Sequence, residues 1–145
     1  MDAAAYGRDD GSIAGDLVKL IDFDNLENND WAAINQFTVI ENKTNRRPDI
    51  LVFINGLPLG VIELKNIGDE NATVRGAFNQ INTYKSDIPT LFAYNELAVI
   101  SDGIHAKAGT LTADWERYMP WRTVDGKDIA PKGSLQVDVL IKGIF

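Results

Sequence analysis

The stretch that most constrains this chain is NRRPDILVFINGLPLGVIELKN, residues 45 to 66. It holds two short apolar runs, DILVFI (49–54) and LGVIEL (59–64), joined by NGLP. Runs that are apolar at successive positions place apolar side chains on both faces of a strand, so both belong in the middle of a covered sheet. The Asn-Gly between them favours a tight reversal, and the two runs are expected to pair as a hairpin. Yet the first run opens on Asp49, after Pro48, and the second closes on Glu63 and Lys65. Unpaired charge on a buried strand is costly, so these three residues need a reason.

Hairpin geometry brings them together. With NGLP as a four-residue loop, Ile54 pairs with Leu59 and Asp49 lies opposite Leu64; a loop one residue different sets Asp49 opposite Glu63. Either way the carboxylates end within a residue of each other, on strands about 5 Å apart. Glu63 and Lys65 are two apart and share a face. Two carboxylates this close repel, and one pKa rises unless a cation lies between them. Hard oxygen donors suit Mg2+, which takes one or two carboxylates together with phosphate oxygens. Such an ion polarises a phosphodiester and acidifies water, and a neighbouring lysine can orient that water or neutralise charge on the phosphate. The spacing therefore points to metal-assisted phosphodiester hydrolysis. The plainer alternative makes Asp49 a turn cap and Glu63–Lys65 an edge ion pair, since short motifs recur by accident.

The rest of the chain supplies the frame. DLVKLIDF (16–23) and AINQFTVIE (33–41) read as strands, with ENKTNRRP as a polar turn after them. NATVRGAFNQINTYKS (71–86) changes period: Val74, Ala77, Phe78 and Ile81 fall at helical spacing, Asn71 or Thr73 can cap the start, and Pro89 stops it. ELAVISD (96–102) reads as a buried strand before a turn at Gly103, and HAKAGTL continues the sheet. DWERYMPW and TVDGKDIAPKG look irregular; Ser134 is placed to cap a last helix in LQVDVLIKGIF. That helical pattern reaches Phe145 without a polar tail, so residues 1–145 are expected to form one domain cut from a longer protein. This order of elements means an α/β fold with a mixed sheet flanked by helices. On the first helix Gln80 and Tyr84 are four apart and share one face, which can lie over the Glu63–Lys65 strand.

Composition excludes some functions. The net charge is −7, the wrong sign for a protein that binds nucleic acid through its whole surface, so DNA contact has to be local. Basic residues gather at Arg46 and Arg47 and along Lys65, Arg75 and Lys85, while NLENND reads as a solvated acidic loop. There is no cysteine, which suits a reducing cytoplasm, and no apolar run nears the roughly 20 residues that span a bilayer.

The 45–66 stretch, AFNQINTYKSDIPTLFAYNELAVISDG, AKAGTLTADWERYMPW and the upstream IDFDNLENNDWAAINQF together resemble the nuclease domain of type I restriction-modification enzymes, in the restriction and motor subunit. The resemblance runs from about Leu17 to Phe145 and is far more specific than the three-residue motif inside it. It implies the restriction-endonuclease-like PD-(D/E)xK fold, with Asp49, Glu63 and Lys65 as the motif. It implies Mg2+, or Mn2+ in its place, held by Asp49, Glu63 and the backbone carbonyl of Leu64. It also implies a Q-x-x-x-Y element, as in RecB-like nucleases, at Gln80 and Tyr84, contacting DNA or steadying the site. The family carries a further upstream helix and an ATP-driven helicase-like motor. This chain begins too late to hold the first convincingly and contains no phosphate-binding loop for the second. The implied partners are double-stranded DNA and the methylation and specificity subunits, with no membrane.

Arg46 and Arg47, just before Asp49, are placed to hold a phosphate. His105 reads as a surface residue outside the motif, and Trp115 and Trp121 as packing residues able in principle to stack on bases. Three functions follow: a Mg2+-dependent endonuclease domain, a non-catalytic docking module between DNA and motor, or a sugar or nucleotide hydrolase. The last leaves Lys65 and the Gln80–Tyr84 face without a purpose.

Overall fold

The structure is a computed structural model that describes residues 4–7, 9–16, 19–66 and 73–144. Two strands, β1 (Ala4–Gly7) and β2 (Ile13–Asp16), form an antiparallel ribbon. The main sheet has five strands: β3 (Trp31–Asn35), β6 (Ile50–Ile54), β7 (Leu57–Leu64), β8 (Leu97–Ser101) and β9 (Ala106–Gly109), in the spatial order β3-β6-β7-β8-β9. A small hairpin, β4 (Val39–Glu41) with β5 (Thr44–Arg46), stands between β3 and β6 in the chain. All neighbours in the main sheet are antiparallel except β7 and β8, which run parallel. A parallel pair needs a crossover, and α1 (Val74–Asp87) supplies it.

The sequence explains α1 well. Thr73 caps it, its hydroxyl accepting from the Gly76 N–H at 3.0 Å. Val74, Ala77, Phe78, Ile81 and Tyr84 are buried along one stripe. That stripe packs on Leu51, Val61, Ala98 and Ile100, the residues of β6, β7 and β8 that face it. Burying one such side chain, for example Ile81 at 0% exposure, contributes about 1.5–3 kcal/mol. The opposite face of the sheet carries Val52, Ile62, Val99 and Ala106, covered by Leu140 and its neighbours on α2 (Gln136–Ile144). The structure is thus α/β, a mixed sheet with a helix on each face. Beside α2 the sheet leaves a groove of about 570 Å³ lined by Trp31, Ala33, Ile50, Val52, Ile62 and Ile141.

Several elements differ from the sequence expectation. Of the strand expected over 16–23, residues 17–18 lie outside the described residues, β2 ends at Asp16, and 19–23 are not strand. Asn71 also lies outside them. The run 33–41 is not one strand: it breaks after Asn35, where Gln36 takes a left-handed φ of 54°. The polar turn ENKTNRRP is a hairpin, because Asn42 and Lys43 adopt φ of 46° and 68° as a tight reversal requires. The α2 helix starts later than a Ser134 cap would place it: the Val139 N–H donates to the Leu135 carbonyl, which puts the cap at Leu135.

The NLENND loop is not merely solvated. Asn29 is buried, its side chain accepting from the Asp22 N–H and donating to the carbonyls of Asp22 and Leu26. It also accepts from Asn55 Nδ2 at 2.8 Å, which ties this loop to the β6–β7 turn.

Candidate active site

The register of the β6–β7 hairpin decides where the carboxylates meet. The reversal uses only Asn55 and Gly56, with φ of 51° and 80°, so Ile54 pairs with Leu57 and not with Leu59. Left regular, this register would set Asp49 opposite Ile62, one residue off, and Glu63 would point to the far face. A bulge corrects it. Phe53 pairs with Pro58 but Val52 pairs with Gly60, leaving Leu59 as the extra residue. From there the pairs run Leu51–Val61 and Ile50–Ile62, and the same register carried one residue further sets Asp49, just before β6, opposite Glu63. Gly60 belongs at this point, since a Cβ on it would stand 3.3 Å from Val52 Cβ. Residues directly opposite in an antiparallel pair share a face with Cβ atoms about 4.5–5.5 Å apart, and for Asp49 and Glu63 that is the face under α1.

Asp49 is held from both sides. Its Oδ1 accepts from Gln36 Nε2 at 2.8 Å, and its Oδ2 accepts from the Leu64 N–H at 2.8 Å. The Gln36 N–H also donates to the Asp49 carbonyl at 2.8 Å, so the left-handed turn at Gln36 locks backbone and side chain together. Gln36 was not singled out in the sequence. The signal was a polar residue interrupting an otherwise apolar strand pattern.

Glu63 is 3% exposed. Its Oε1 accepts from Lys65 Nζ at 3.0 Å, while its Oε2 is buried with no hydrogen-bond partner. Burial pushes this carboxyl above the ordinary glutamate value; Lys65 opposes the shift and the Asp49 charge adds to it. Tyr84 is 5% exposed and lies beside Glu63 and Gln80, close enough for both to act on its hydroxyl but without closing a hydrogen bond on Oε2. Burial first, and then the Glu63 charge, raise Tyr84 to about 12, so it is a neutral donor at any working pH. The Lys65 backbone is pinned by its N–H to the Ser101 carbonyl at 2.8 Å. An open cleft of about 450 Å³, lined by Gln36, Asp49, Ile50, Leu64, Lys65 and Asn66 among others, lies at this end of the β6–β7 hairpin.

The structure thus brings together Asp49, Glu63, Lys65, Gln80 and Tyr84. Arg46 stands elsewhere, with its guanidinium paired to Asp87 at the end of α1, Nη2 to Oδ2 at 2.6 Å. Arg47 is exposed. His105 sits on the β8–β9 turn against Asp102, Nδ1 to Oδ2 at 3.3 Å, away from the cleft. Trp121 packs against α2, so closely that a Cβ on Gly143 would overlap its indole.

The donor set fits a hard divalent cation. It is all oxygen, the two carboxylates share a face, and Glu63 Oε2 is an orphaned buried acceptor awaiting a partner. Among the described residues no group of three or more His, Cys, Asp or Glu side chains comes together as a metal cage. An ion here would complete its shell with backbone carbonyl, water or substrate oxygen.

The family model described as Type I restriction enzyme R protein N terminus (HSDR_N) matches residues 3–117. The chain belongs to that family. Its relatives include the type I restriction enzyme HindI endonuclease subunit of Haemophilus influenzae, 48% identical over 114 residues, which are 78% of this chain and 11% of that protein. The EcoprrI endonuclease subunit of Escherichia coli is 39% identical over 126 residues, 81% of this chain and 38% of that sequence. The SauCOLORF180P endonuclease subunit of Staphylococcus aureus is 36% identical over 80 residues, 54% of this chain and 8% of that protein. The match therefore spans a minor part of each relative's length.

Proposed function

We propose that this chain is the nuclease domain of a type I restriction enzyme, with the PD-(D/E)xK fold, cutting double-stranded DNA with Mg2+ or Mn2+. The observation that carries the reading is Glu63: a buried carboxylate with one oxygen on Lys65 and the other without a partner, opposite Asp49 on the same face. Asp49 and Glu63, with the Leu64 carbonyl, would hold the ion. When bound, it supplies positive charge that polarises the phosphodiester and acidifies an attacking water.

The protein's own groups do the rest. Gln36 and the Leu64 N–H fix the Asp49 carboxylate, so no reorganisation is needed when charge develops. Lys65, anchored on Glu63 Oε1, can turn its remaining N–H donors to the water or to a phosphate oxygen. Tyr84 stays protonated and, with Gln80, steadies the Glu63 side of the site. Water attacks phosphorus, the bond from phosphorus to the 3′ oxygen breaks, and the departing oxygen takes up a proton. The ends are a 5′-phosphate and a 3′-hydroxyl. Recognition of a DNA site would come from the specificity and methylation subunits, and ATP would serve a motor elsewhere in the subunit. Among the described residues no helix is long and apolar enough to cross a membrane, and a cytoplasmic enzyme is the reading that fits.

The test is Asp49→Ala, Glu63→Ala and Lys65→Ala, each in the full enzyme, with DNA cleavage and ATPase measured side by side. Loss of cleavage with ATPase intact supports the assignment. Persisting cleavage with intact ATPase refutes it and favours a docking module.

A further inference from the structure

We infer that Arg75, Lys107 and the Trp115 ring between them form a second DNA contact, a clamp for backbone phosphates on the rim of the site. The inference rests on the nuclease reading above and extends it to residues that reading does not use.

The placement follows from the sheet register. Glu63 pairs with Ile100 across the parallel β7–β8 junction, and Ile100 pairs with Lys107 across β8–β9. Cross-strand partners share a face, so Asp49, Glu63, Ile100 and Lys107 form one row under α1, with Lys107 about 10 Å from Glu63 at the usual strand spacing. Arg75 approaches from α1. It precedes Gly76, where an added Cβ would lie 4.0 Å from Lys65 Cε, so the first turn of α1 rests beside the catalytic lysine. Between the two cations stands Trp115, wedged edge-on against Phe78 at 5.6 Å. The Arg75 guanidinium lies 4.7 Å from the Trp115 ring centroid and Lys107 Nζ lies 4.4 Å from it. No more than about 9 Å therefore separates the two charges.

The chemistry of this arrangement is one-sided. In a chain of net charge −7, two cations are gathered on one indole, and among the described residues neither makes an ion pair. The nearby carboxylate of Asp114 is engaged by Arg117. Ring stacking contributes about 0.5–1 kcal/mol per exposed cation and sets its direction, but it does not neutralise the charge. An anion would. Phosphates of a DNA backbone entering the cleft fit both the charge and the position, and the fixed ring keeps both cations in place before binding. An acidic protein would then hold DNA through a few local basic contacts, Arg75 and Lys107 on the Trp115 ring and Lys65 beside the first turn of α1.

The experiment uses Arg75→Gln, Lys107→Gln and the double variant, with a fluorescein-labelled duplex of about 30 base pairs. Anisotropy is read as salt rises from about 50 to about 200 mM. Each released phosphate contact lowers the slope of log K against log salt by about 0.9 and weakens binding about five- to tenfold at 0.1 M salt. The proposal predicts that loss for each single variant and roughly twice the slope change for the double. Unchanged affinity and slope overturn it, and so does failure of the duplex to bind the unsubstituted protein. Mn2+ titrated by calorimetry in the same variants separates this clamp from the carboxylate site. Undiminished Mn2+ binding with weakened DNA binding is the expected pattern. Equal loss of both would mean that the variants disturb the site itself, which also overturns the clamp.

Discussion

Glu63→Gln removes one charge and little volume, and it separates a functional carboxylate from a structural one. Glutamine imitates the protonated acid. In the absence of a divalent ion the native residue keeps a buried oxygen without a partner, a defect worth about 1–3 kcal/mol. Its folded carboxyl titrates above the ordinary value of 4.5, chiefly through burial. The folded state therefore holds the proton more tightly than the unfolded state does. Stability is full below the unfolded pKa and is lost as pH rises through the folded one. At pH of about 4 the variant and the native protein should match. At pH of about 8 without metal the variant should be the more stable by about 1–3 kcal/mol, or about 1 M in urea midpoint at typical slopes. Lys65, with its side chain 29% exposed, can rehydrate when its partner becomes neutral. Adding Mn2+ at a hundredfold excess over Kd should then stabilise the native protein by about 2.7 kcal/mol and the variant hardly at all. Urea denaturation at both pH values, with and without Mn2+, reads all of this. If the variant is instead less stable at pH 8 without metal, by the 3–5 kcal/mol expected for breaking a buried ion pair, Glu63–Lys65 is a structural pair and the reasoning fails.

Three further outcomes follow from the geometry. Gln36→Gly suits the φ of 54° and removes the bond to Asp49 Oδ1, so Mn2+ affinity by calorimetry should fall about ten- to a hundredfold with little change in thermal stability. Asn55→Ala should cost about 2–4 kcal/mol in chemical denaturation, because it strains a residue at φ 51° and removes the side-chain bonds to Asp30, Leu20 and Asn29; Asn55→Gly should recover about 1 kcal/mol of that. Gly109→Ala should destabilise the fold by about 1–3 kcal/mol in the same assay, since its Cβ would stand 2.6 Å from the ring of Tyr118, itself only 1% exposed.

The hairpin, α1 and β8 were legible because each rests on local signals: an Asn-Gly reversal, a helical stripe with a Thr73 cap, a short apolar run. The sequence left two registers for the hairpin, Asp49 opposite Leu64 with a four-residue loop or opposite Glu63 with a loop one residue different; the protein's register, continued, matches the second, but reaches it by a two-residue turn and a bulge at Leu59. Turn length and bulge act together, and no single residue announces the second. Gln36 was hidden for a similar reason: its left-handed turn splits what reads as one strand, and its role depends on lying across from Asp49. The pairing of Arg46 with Asp87 joins residues 41 apart in the chain, a contact that local pattern does not reach.

Crystals soaked in Mn2+ and measured for anomalous scattering test the central claim most directly. The account predicts a peak between the carboxylates of Asp49 and Glu63, bonded to Glu63 Oε2 and lost in the Glu63→Gln protein. Millimolar Mn2+ that leaves this position without a peak, or binds only elsewhere on the molecule, would contradict it.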